Sequence, residues 1–60
     1  MKKFKVIKQH YDLKEGTIVI DEGISEADTS LHGVEHRLVL VEGDAVPITY
    51  VVPLDKLEEV

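Results

Sequence analysis

Sixty residues with no cysteine, and twelve carboxylates against seven lysines and arginines, give one domain (1–60) of net charge −5 that no disulfide can staple and that lacks the ligands of a zinc ribbon. A chain this short buries only about 60% of the surface it exposes when unfolded, so it needs a compact β core, a partner subunit, or both. The acidic excess argues against nucleic acid as a partner, because phosphate contacts need a basic face.

Charge is uneven along the chain. Residues 1–14 carry five lysines and Asp12, a balance of +4; residues 15–60 carry Arg37 and Lys56 against eleven carboxylates, a balance of −9. No apolar run approaches the ~20 residues of a membrane-spanning helix. The basic Met1-Lys2-Lys3 is not followed by the apolar stretch of ~7–15 residues that a signal peptide needs. The expectation is a soluble cytoplasmic protein with no membrane partner.

Lys3-Phe4-Lys5-Val6 alternates charged and apolar residues, the period of a half-buried strand, with Phe4 and Val6 inward. Its lysines also guard an edge against unwanted pairing. His10 to Gly16 reads as a loop ending in a turn at Gly16, and Thr17–Ile20 as a second, β-branched strand. Asp21 to Gly33 reads as an irregular, polar and mobile section, with one helical turn at Ser25–Asp28 in which Ser25 is the N-cap and Asp28 reaches back to it. A third strand is predicted over Glu35–Val41 and a fourth over Ile48–Val52, joined through Glu42-Gly43-Asp44 and bracketed by Pro47 and Pro53. Leu54 and Leu57, three apart, suit one 3₁₀ or helical turn, and Glu58-Glu59-Val60 a last short strand.

These elements predict an all-β fold: a small SH3-like barrel, or a strongly bent antiparallel sheet, with one short 3₁₀ or helical turn near the C-terminus. The predicted core is Phe4, Val6, Ile18, Ile20, Leu38, Leu40, Tyr50, Val52, Leu54 and Leu57. Alternation then turns Val19, Val39, Val41 and Val51 outward, where polar residues belong. Valine suits a strand even when wet, and both faces of a bent barrel can be buried. The sharper reading is an apolar face covered in the working state by a second copy or by a target protein.

Thr29, Gly33-Val34-Glu35-His36, Gly43-Asp44, Pro47, Pro53 and Leu57-Glu58-Glu59-Val60 also resemble a group of small proteins of tailed bacteriophages. The likeness spans the C-terminal half: an acidic Thr-containing loop, a Gly-Val-Glu-His step into a strand, a Gly-Asp turn and a Leu-Glu-Glu close. It implies an accessory protein acting in the host cytoplasm, and it brings no catalytic residues with it.

His10, His32 and His36 invite a metal, but on a strand residues four apart lie roughly 13 Å from each other, too far for one ion. No Gly-x-Ser-x-Gly, His-Glu-x-x-His or glycine-rich phosphate loop is present, so no catalytic or cofactor-binding residue is assigned and a non-enzymatic protein is expected. Tyr11, an aromatic in a polar loop, is either a lid on the barrel end or an interface anchor. The acidic run through Glu22, Glu26 and Asp28 is either a solvated face or a surface that mimics nucleic acid toward a host protein. The candidate partner-binding residues are therefore Glu22, Glu26, Asp28, Val39, Val41 and Tyr11. Two function classes stand: an accessory factor that binds and modulates a host or phage protein, and an assembly module that forms a homo-oligomer or part of a larger complex.

Overall fold

Phe4 and Val6 set the inside of the sheet. In the computed structural model, which describes residues 1–60, they lie on strand β1 (Lys3–Val6) and are buried, while Lys5 between them is exposed. The chain continues through β2 (Ile18–Ile24), helix α1 (Glu26–His32), β3 (His36–Val41), β4 (Thr49–Pro53), a 3₁₀ turn (Leu54–Lys56) and β5 (Leu57–Glu59). All five strands form one antiparallel sheet in the order β4-β3-β2-β1-β5. The fold is all-β, with the 3₁₀ turn near the C-terminus.

Register decides which residues share a face. Phe4 lies opposite Val19, Val19 opposite Val41, and Val39 opposite Tyr50. Val19, Val39 and Val52 accordingly join Phe4, Val6, Leu13 and Leu57 in the core, with Val41, Tyr50 and Leu54 packed against it. A single sheet supplying both sides of its own core must curl around it. The expected facing of β2 and β3 is thus reversed: Val39 is fully buried and Val41 packs on the core, so neither belongs to an outward valine face. Ile18, Ile20, Leu38 and Leu40 instead lie half-buried on the opposite side.

The section expected to be irregular is largely regular. β2 runs on to Ile24 past a bulge between Asp21 and Gly23, and α1 makes seven residues rather than one turn. Ser25 is the N-cap and Asp28 does reach back to it, but not to its backbone N–H, which donates to the His36 carbonyl (2.8 Å). The Asp28 carboxylate instead accepts the Ser25 hydroxyl at 2.6 Å. Gly33 ends the helix at φ 73°, its N–H donating to Thr29 O, a left-handed cap that glycine adopts without steric cost.

Candidate functional site

The open face of the sheet carries the feature that the core does not explain. Ile20 lies opposite Leu40 and Leu38 opposite Val51, so Ile18, Ile20, Leu38, Leu40 and Val51 form one aliphatic surface across β2, β3 and β4. All five are half-buried. On β1 the same face turns polar, because Lys5 and Lys3 lie opposite Ile18 and Ile20, and Lys3 pairs with Glu42.

At the α1 end of this face His36 is buried. Its backbone N–H donates to Thr29 Oγ1 (2.9 Å), and its Nδ1 lies 2.7 Å from the Val34 carbonyl, which fixes Nδ1 as the protonated ring nitrogen. The His32 ring stacks on it with centroids 5.1 Å apart. The extended-chain separation expected for these two histidines fails because His32 closes a helix and Gly33 turns the chain back. No group of three histidine, cysteine or carboxylate side chains converges. The surface carries no cavity.

On the core side, the sheet end is closed by an ion pair. Arg37 donates to both Asp21 oxygens, Nε to Oδ1 at 3.0 Å and Nη2 to Oδ2 at 2.6 Å, and its Nη1 reaches Glu35 at 3.0 Å. The forked contact holds the Asp21 carboxyl below its usual range against the opposing effect of burial, and Asp21 in turn holds Arg37 protonated.

The β1–β2 loop packs beside β4. His10 and Leu13 exchange backbone hydrogen bonds of 2.9 Å, which leaves Tyr11 and Asp12 at the tip of a tight turn. Tyr11 has φ 55°, a left-handed conformation costly for a bulky side chain, and it is 85% exposed. Of the two readings for Tyr11, the lid is excluded by that exposure; Leu13 fills the inward position. Lys56 Nζ lies 3.0 Å from His10 Nδ1. Burial, and then the Lys56 charge, lower the His10 pKa from its ordinary value. Tyr50 Oη stands 3.5 Å from Asp12.

Among the acidic candidates, Glu22 sits exposed at the β2 bulge and Glu26 exposed in the first turn of α1, while Asp28 is half-buried against Ser25. They gather at the β2–α1 junction. No hydrogen bond joins them to Tyr11, whose only partner is Gln9 (Nε2 to Tyr11 O, 2.8 Å). Alternation predicts an outward apolar face that includes Val51, but it puts Ile18, Ile20, Leu38 and Leu40 in the core, because the register that turns them outward is not written in the sequence. Compared with known proteins, the chain matches no family model, no curated sequence and no solved structure.

Proposed function

We propose that this chain is a small non-enzymatic binding protein that docks on another protein through the open face of its sheet and modulates it. The observation that carries the reading is the aliphatic surface of Ile18, Ile20, Leu38, Leu40 and Val51. A sheet with one wet face ordinarily alternates apolar-in and polar-out, as β1 does here, and a contiguous apolar patch marks an interaction site. Glu22 and Glu26 at the β2–α1 junction would steer a basic partner toward it. A meander whose last strand returns beside the first after a 3₁₀ turn supports assignment to the SH3-like barrels. The likeness of the C-terminal half supports a phage accessory factor working in the host cytoplasm. The second reading, an assembly module, uses the same face covered by a second copy.

Leu38→Lys combined with Leu40→Lys tests this. The substituted chain stays folded by circular dichroism and loses a protein that the unsubstituted chain captures from bacterial lysate. Sedimentation of the unsubstituted chain as a dimer that the same changes dissociate supports the assembly module instead. A monomer that captures the same proteins with and without the two lysines overturns both readings.

A further inference from the structure

No strand ladder closes the curled sheet on itself. Its order leaves β4 at one edge and β5 at the other, with the 3₁₀ turn running between them. The Leu54 N–H donates to Glu35 O at 2.8 Å, which fixes the alternation of the β3–β4 ladder: residues 50 and 52 bond to β3, and the N–H and C=O of Val51 turn away from it. The β1–β2 loop fills that seam. Leu13 drops from it into the core, and the half-buried His10 ring meets the Val51 backbone.

Both ring nitrogens of His10 are engaged there. Lys56 Nζ lies 3.0 Å from Nδ1. An ammonium can only donate, so Nδ1 is the acceptor and the ring proton sits on Nε2, which donates to the Val51 carbonyl. The ring thus ties the β4 edge to the 3₁₀ turn, and it can do so only as the neutral imidazole. A second proton must go to Nδ1, where the new N–H points at the Lys56 ammonium instead of accepting from it. Nothing nearby neutralises that charge. The Tyr11 ring packs edge-on with centroids 4.7 Å apart, and Asp12 is turned to the Tyr50 hydroxyl, 3.5 Å away. His36 of β3 adds a like charge when protonated, and Asp55 on the 3₁₀ turn is exposed.

We propose that His10 is a proton-operated pin: neutral, it holds the β1–β2 loop across the seam between β4 and the 3₁₀ turn; protonated, it is repelled by Lys56, and the loop swings out to uncover the Val51 edge and the Leu13 site of the core. The direction follows from the burial and the Lys56 charge that hold the His10 pKa below its ordinary 6.5. The released ring takes up its proton near that ordinary value. Closure therefore weakens as pH falls through 6.5 toward the lower pKa of the closed form. The pin acts whatever docks on the open face.

NMR of isotope-labelled protein with a neutral, soluble gadolinium chelate reads the seam and the ring together. The sample is titrated downward from about pH 8 until the His10 ring is fully protonated. The expected result is progressive loss of the Leu13 methyl and Val51 amide signals to the chelate, with the midpoint of the His10 titration, while Val6, Val19 and Val39 stay protected. His10→Gln, whose amide can face both partners without titrating, removes the pH dependence at Leu13 and Val51. Lys56→Met lets the closed loop tolerate a charged ring, so it reduces the acid-induced loss. A His10 ring that becomes fully protonated with Leu13 still protected overturns the inference. So does a pH-dependent loss that persists in His10→Gln. Loss at Val6, Val19 and Val39 in step with Leu13 overturns it as well, because the proton then unfolds the whole domain rather than the seam.

Discussion

Lysine at position 39 should unfold this protein, and lysine at position 38, one residue away, should not. Val39 is 0% exposed, between Asp21 of β2 and Tyr50 of β4. Val39→Lys forfeits about 1.5–3 kcal/mol of apolar burial. It also places an ammonium in a site with no room for water, which costs several kcal/mol more even after relaxation. A domain of this length holds about 3–9 kcal/mol in all, at 0.05–0.15 kcal/mol per residue. The two losses consume most or all of it. Leu38 is half-buried on the open face, where a lysine can run its methylenes along Val51 and Ile20 and keep its charge in water. Leu38→Lys should cost about 1 kcal/mol, or roughly 4–8 °C in Tm. Urea and thermal unfolding followed by circular dichroism read both. A Val39→Lys protein that melts within about 5 °C of the parent, or a Leu38→Lys protein that is unfolded, would refute the facing of the sheet.

Arg37→Met leaves Asp21 without its forked partner and should cost about 2 kcal/mol; a double-mutant cycle with Asp21→Asn that finds no coupling would show that the pair does not close the sheet end. Gly33→Ala meets no neighbouring atom, so only the strain of φ 73° remains, and it should lower stability by about 1 kcal/mol in urea titration. Acid should destabilise the fold in two windows. His10 is depressed below its ordinary 6.5, so the unfolded chain takes the proton first and stability falls as pH drops through that value. Asp21 is depressed below 3.8, so its contribution is whole above that value and is lost as pH falls through its folded pKa. Lys56→Met should move the His10 titration upward, read from its ring proton shifts; no movement would remove Lys56 from the account.

Element type was legible wherever turn chemistry and β-branching agreed, as at Gly16, Gly43, Pro47 and Pro53. Facing was not, because β2 and β3 are aliphatic on both sides. Ile18 and Ile20 compete with Val19, and Leu38 and Leu40 with Val39 and Val41, and alternation alone cannot choose between them. Arg37 and Asp21 share the valines' parity and place charge on the core side. In the fold they neutralise each other at the margin of the core. Only pairing with β1, whose Phe4 and Val6 are unambiguous, breaks the tie, and pairing is a property of the folded sheet. Helix α1 escaped for a different reason. It buries no residue fully and shows no apolar stripe, so its stability comes from its ends and from the His36 N–H to Thr29 contact rather than from a hydrophobic face. Of the four valines that alternation turned outward, Val51 alone lies on the open face; Val19, Val39 and Val41 turn to the core.

The pairing of β1 with β5 also sets how the protein answers to force. Phe4 lies opposite Glu59 and Val6 opposite Leu57, so the two ends of the chain leave the sheet side by side at the same corner. Tension applied between them meets the Val60-to-Lys3 hydrogen bond first and the Ile7-to-Lys56 bond last. The load falls on these rungs one after another instead of on all of them at once. Pulled by its ends, the molecule opens like a zip, with β5 peeling away from β1 while the Asp21-to-Lys2 bond ties the other end to β2.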